Sequence, residues 1–139
     1  MLPLKAIKII QLGKKSNRMK TQGLRTTIYT VDDLEKAKQW YTKAFEIQPY
    51  FDEPFYVGFN IVGYELGLMP EEKLTEKGEN IFAYWGVEDI EQAFNDFLNL
   101  GASVFEKPTN VGGEITVAAV KDPWNNIIGI IYNPEFKLP

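Results

Sequence analysis

The chain writes one strand-to-helix junction twice, and that duplication constrains its fold more than any other feature. Residues 31–37 read Val-Asp-Asp-Leu-Glu-Lys-Ala and residues 87–93 read Val-Glu-Asp-Ile-Glu-Gln-Ala, with Val, Asp, Glu and Ala in matching places and similar residues between them. Chance produces one such heptapeptide, but the flanks match as well. Residues 24–31 are mostly β-branched or aromatic and predict a strand. Asp32 followed three residues later by Glu35 forms a capping-box pattern, and Leu34, Ala37, Tyr41 and Ala44 then recur at helical spacing as far as Phe45. Residues 55–61 and 64–69 predict two strands joined by a tight turn at Gly63, with Pro70 as the stop. The pattern then restarts. Residues 81–87 predict a strand, Asp89 with Gln92 a second capping box, and Ile90, Ala93, Phe94, Phe97 and Leu100 a helix face ended by Gly101. Strands follow at 103–106, 115–120 and 127–132, so the order is βαβββ, twice.

This layout divides the chain into a first module at 24–70, a linker at 71–80 and a second module at 81–134, with a short tail at 135–139. At 139 residues, 45% of them hydrophobic and 24% charged, the chain has the size and balance of one globular domain. Residues 1–23 stand apart: they hold six basic residues and no acid, the first acid being Asp32. This stretch is read as a basic tail, disordered or foreign to the folded unit. Lys5 and Lys8 interrupt its apolar run and no small-residue cleavage site follows, so it is not read as a signal peptide. Without residues 1–18 the chain has ten basic residues against nineteen acidic ones. That balance repels a phosphate backbone and argues against nucleic acid as a partner, and nothing points to a membrane. With no Cys there is no sign of an oxidising compartment, and the expected location is the cytoplasm. With neither Cys nor His, thiolate or imidazole metal centres cannot be built.

The junction at residues 26–45 with Trp40-Tyr41, the turn Asp122-Pro123-Trp124-Asn125-Asn126, and the repeat together resemble the vicinal oxygen chelate superfamily, which holds glyoxalase I, bleomycin-resistance proteins and extradiol dioxygenases. The resemblance implies an α+β fold in which two βαβββ modules form a curled mixed sheet around a cavity, with helices on the outer face and domains pairing as homodimers. It further implies that the four ligand positions of the family's metal enzymes fall on Thr26, Gly67, Phe82 and Gly129. One hydroxyl, one phenyl ring and two glycines do not supply the converging donors a divalent ion needs, so no metal and no other cofactor is expected.

Strand alternation that turns Thr26 and Phe82 to the cavity also turns Ile28, Thr30 and Tyr84 there, with Gly67 and Gly129 leaving space. Those residues, with Glu65 and Trp124, are the expected ligand-binding set; the competing reading is that the aromatics are simply core. Glu65, aligned with Gly67 by alternation, is the one candidate catalytic residue, a general base if burial raises its pKa, and otherwise a hydrogen-bond anchor or a structural carboxylate. Trp124 either covers the pocket mouth or a dimer partner, or packs on its own hairpin. The acid pairs Asp32-Asp33 and Glu88-Asp89 are assigned to helix capping, Glu71-Glu72 to a solvated face, and Gly112-Gly113-Glu114 is not a phosphate loop. The expected function is metal-independent binding or sequestering of an apolar or aromatic small molecule. The alternative is an enzyme of the same superfamily, a lyase, isomerase or dioxygenase relative, working through Glu65 or an unconventional site.

Overall fold

The computed structural model describes residues 19–73 and 76–138; the tail expected over residues 1–23 lies outside the described residues as far as residue 18. The first module runs β1 (Thr26–Val31), α1 (Leu34–Phe45), β2 (Phe51–Glu53), β3 (Tyr56–Ile61) and β4 (Tyr64–Pro70). The second runs β5 (Tyr84–Gly86), α2 (Ile90–Asn99), β6 (Ser103–Gly112), β7 (Ile115–Lys121) and β8 (Ile127–Tyr132). Each module is a four-stranded mixed sheet, in the orders β1-β4-β3-β2 and β5-β8-β7-β6. The first strand of each pairs in parallel with the last, and the remaining pairs are antiparallel. The two sheets are separate and do not close around a cavity within one chain.

Both helices start as a capped junction. Asp33 Oδ1 accepts from the Lys36 amide and Asp89 Oδ1 from the Gln92 amide, each at 3.0 Å, which satisfies one orphan N–H and sets a carboxylate at the positive end of the helix. The first cap is therefore Asp33, not Asp32 as the capping-box pattern suggested, and the repeat itself aligns Asp33 with Asp89. Glu46 ends α1 in the left-handed conformation at φ 53°. The short strand β2 has no sequence signature of its own, being three exposed residues held by pairing with β3. Strand β5 is shorter than the expected 81–87, and β6 longer than 103–106. Strand β6 lies at a sheet edge with three irregularities in its register, one of them spanning Pro108. An edge accommodates a residue without an N–H.

One hydrophobic cluster serves both modules. Tyr29, Val31, Phe59, Leu66 and Leu68 of the first sheet join Ala118, Val120, Ile128 and Ile130 of the second, with Ala37 and Tyr41 of α1 and Phe94 and Phe97 of α2 between them. Burial of each large apolar side chain here contributes about 1.5–3 kcal/mol. Polar contacts pin the seam. Tyr41 Oη donates to Asp122 Oδ2 at 2.6 Å, Trp40 Nε1 to the Leu100 carbonyl at 2.7 Å, and Asn126 Nδ2 to the Thr30 carbonyl at 3.0 Å. The linker is part of that seam: Lys77 Nζ donates to the Thr30 carbonyl at 2.6 Å and pairs with Glu71 at 2.7 Å. Glu71, expected on a solvated face, has a side chain only 13% exposed for this reason. Among the described residues no helix is long and apolar enough to cross a membrane.

Candidate functional site

Alternation divides each strand of the first sheet between two faces. Tyr29, Val31, Val57, Phe59, Leu66 and Leu68 enter the core, which leaves Thr26, Ile28 and Thr30 of β1, Tyr56 and Gly58 of β3, and Glu65, Gly67 and Met69 of β4 on the face away from α1. The register sets Thr26 opposite Glu65 and Ile28 opposite Gly67, and Gly58 also opposite Gly67 on the other side. Glu65 therefore stands at the centre of a small polar group. Thr26 Oγ1 donates to its Oε1 at 2.9 Å, Tyr50 Oη donates to its Oε2, and the Tyr56 hydroxyl is a third donor.

The glycines make this possible, though not as open space. A Cβ on Gly67 would lie 2.7 Å from Cζ of Tyr56, and a Cβ on Gly58 would lie 2.9 Å from Glu65 Oε2 and 3.0 Å from Cε1 of Tyr50. The two tyrosines lie over two glycines, and only the missing side chains let their hydroxyls reach the carboxylate. The space expected at Gly67 is thus filled by Tyr56. Aromatic rings continue outward, with Phe51 centred 6.5 Å from Tyr50 and 6.0 Å from Tyr56. Ile28 and Met69 are exposed beside them.

Hydrogen bonds from Tyr50, Thr26 and Tyr56 hold the Glu65 carboxyl below the usual carboxylate range, against an opposing contribution from burial. Desolvation, helped by the hydrogen bond to Glu65, pushes the Tyr56 phenol up to about 12, and the Glu65 contact raises Tyr50. The shift of Glu65 runs opposite to what a general base working near neutral pH requires. Tyr50 and Tyr56 were not among the residues expected here. The signal available for Tyr56 was alternation along β3, which sets it across from Val57 and Phe59.

The equivalent face of the second sheet is apolar. Phe82 meets Tyr84 at 6.1 Å and Phe105 at 5.7 Å between ring centroids, and Lys121 Nζ sits 5.4 Å over the Phe105 ring. Tyr84 pairs with Gly129, where a Cβ would come within 2.7 Å of the Ala83 carbonyl and 2.8 Å of the Tyr84 ring. Gly129, like Gly67, is a seat for a tyrosine rather than a vacancy. The expected residues therefore form two groups on two sheets: Thr26, Ile28, Glu65 and Gly67 together, and Phe82, Tyr84 and Gly129 together. Thr30 joins neither, its hydroxyl accepting from Lys77 Nζ at 2.8 Å. Trp124 packs against the core with its ring 6.3 Å from Trp40 in an edge-on contact, so it belongs to the seam. A cleft of about 200 Å³ between the modules, lined by Phe45, Ile61, Trp85, Phe97 and Ile130 among others, contains none of the expected residues.

The four positions that the resemblance implied as ligand positions do not fit a metal ion. The Thr26 hydroxyl is committed to Glu65, Phe82 has no donor atom, and tyrosine rings cover both glycines. Among the described residues no three His, Cys, Asp or Glu side chains are grouped to hold one.

Residues 19–130 match the Glyoxalase/Bleomycin resistance protein/Dioxygenase superfamily, and the chain belongs to it. Its fold is similar to that of a glyoxalase-related enzyme from Fulvimarina pelagi, at 17% identity and TM-score 0.72 over 86% of this chain and 94% of that one. It is also similar to the fosfomycin resistance protein FosX from Listeria monocytogenes, at 18% identity and TM-score 0.70 over 84% and 94% of the two chains. The FosX of Mesorhizobium loti gives 18% identity and TM-score 0.66 over 84% and 96%. No curated protein matches the sequence.

Proposed function

We propose that this chain is a metal-independent small-molecule-binding protein of the glyoxalase and bleomycin-resistance type, a cytoplasmic homodimer that sequesters an apolar or aromatic compound. The observation that carries the reading is the face built around Glu65, where a fixed carboxylate and three hydroxyls sit among exposed Ile28, Met69, Phe51 and Tyr50. A few oriented polar groups within apolar and aromatic surface is the usual composition of a small-molecule site. The apolar face of the second sheet, with Phe82, Tyr84 and Phe105, supports dimer formation, because a second copy would cover it. The rival reading, an enzyme with Glu65 as base, is favoured by the enzyme named among the similar structures and opposed by the lowered pKa of Glu65.

The test is metal analysis of purified protein combined with thermal shift against a panel of aromatic compounds and light scattering for mass. The expected result is a dimer with far less than one metal per chain and a melting temperature raised by binders. Stoichiometric iron, nickel, zinc or manganese, or turnover lost on chelation, would sink the proposal.

A further inference from the structure

The hydrogen bonds around Glu65 have a direction, and the direction says what kind of ligand atom this face accepts. A carboxylate only accepts, so the protons of Thr26, Tyr50 and Tyr56 all point inward to Glu65. With their protons committed, the three hydroxyl oxygens offer only lone pairs to anything that approaches. The face thus presents acceptors and no side-chain hydroxyl donor. The groups holding Glu65 are hydroxyls alone; no ammonium or guanidinium among the described residues is one of them. Its negative charge is therefore solvated and oriented but not neutralised. Around it stand the rings of Tyr50, Phe51, Phe55 and Tyr56, linked by centroid contacts of 6.0 to 6.5 Å, whose faces carry negative potential.

We propose, resting on the reading of this face as a small-molecule site, that its ligands are organic cations: compounds carrying a protonated amine or amidine next to an apolar or aromatic body. The cationic N–H groups donate to Glu65 and to the tyrosine oxygens, and the apolar body lies on Ile28, Met69 and the rings. A neutral isostere forfeits the charge-assisted bonds, and a carboxylate meets a fixed negative charge. Tyr50 is 63% exposed, so its ring and oxygen are accessible to an arriving ligand.

Three probes of nearly one shape decide the matter at pH 7: benzylammonium, benzyl alcohol and benzoate, titrated into the full chain and followed by chemical shifts of the residues around Glu65. Benzylammonium is expected to bind at least about tenfold more tightly than benzyl alcohol, the scale of one charge-assisted hydrogen bond, with benzoate weakest and added salt reducing the preference. Glu65→Gln keeps the shape and removes the charge, and should bring benzylammonium and benzyl alcohol within about twofold. Tyr50→Phe, which keeps the exposed ring, should weaken benzylammonium more than benzyl alcohol and serves if the first variant folds poorly. Equal or tighter binding of benzyl alcohol or benzoate at the same residues overturns the cation inference and leaves the small-molecule reading intact. A preference that survives Glu65→Gln also overturns it. Absence of any shift from all three probes at millimolar concentration overturns the inference together with the reading on which it rests.

Discussion

Each module places one carboxylate among tyrosine hydroxyls and backbone, and the two use it in opposite ways. Asp122, in the β7–β8 turn of the second module, is 3% exposed and accepts from Tyr41 Oη, from the Trp124 and Asn126 amides at 2.8 Å, and from Asn126 Nδ2 at 3.0 Å. It has no open side, and its partners come from both modules. Glu65, in the first module, is held from one side by three hydroxyls and remains accessible from the other. The corresponding turn between β3 and β4 holds no buried acid; it is a two-residue hairpin with Val62 at φ 51° and Gly63 at φ 91°. The lesson is that a phenol–carboxylate pair is committed to the core where it is enclosed and keeps one side open to solvent where it is not, although the atoms are the same.

The largest expected effect breaks the enclosed member. Asp122→Ala leaves the Tyr41 hydroxyl, two backbone amides and the Asn126 amide without their acceptor, and at about 1–3 kcal/mol for each buried group left unpaired it should destabilise by about 3 kcal/mol or more. Urea unfolding would measure this. A cost as small as that of Glu65→Ala would show that the two carboxylates are equivalent after all.

The glycine seats give the next contrast. In Gly129→Ala the new Cβ meets a backbone carbonyl that cannot move cheaply, and a loss of about 1–3 kcal/mol is expected. In Gly67→Ala it meets the hydroxyl end of Tyr56, which can swing away, so stability should fall less while binding at Glu65 changes. Melting temperatures of the two variants, with probe titration of the second, distinguish these outcomes; the reverse order would mean that Tyr56 is held as firmly as the β5 backbone.

Removing one phenol from each pair sharpens the same point. Burial and the nearby Asp122 carboxylate hold the Tyr41 phenol far above its ordinary pKa. Tyr41→Phe should cost about 1–2 kcal/mol, because Asp122 keeps its other donors, whereas Tyr50→Phe at the exposed face should cost far less. Chemical denaturation of both variants side by side would check the difference.

The smallest effect is a pH dependence. Glu65 has a folded-state pKa below its unfolded value of about 4.5, so its contribution to stability is present above that value and is lost as pH falls through the folded pKa. The stability difference between the natural chain and Glu65→Gln should accordingly shrink below about pH 4.5 and stay constant from pH 6 to 8. A difference that grows on acidification would mean that the protonated form is the one the face prefers.

Much of the architecture was legible because it rests on local rules. The duplicated junction foretold two capped helices, each followed by strands, and alternation along β1 and β4 correctly grouped Thr26, Ile28, Glu65 and Gly67 on one face. Where the reading missed, long-range contacts had decided the outcome. Three exposed residues make β2 only because β3 offers its edge, and Glu71 is screened only because Lys77 folds back across the seam to reach Thr30. Trp124 had two open readings, and the presence of Trp40 from the other module settled where it packs.

By itself, then, the sequence determined the two-module order, the faces of the strands and the absence of imidazole and thiolate donors, because those follow from period, capping and residue type. Only the tertiary structure decided that Tyr50 and Tyr56 lie over Gly58 and Gly67 with their hydroxyls on Glu65. That arrangement depends on strands brought side by side in one register, and whether a glycine is a void or a seat depends on what the neighbouring strand lays across it.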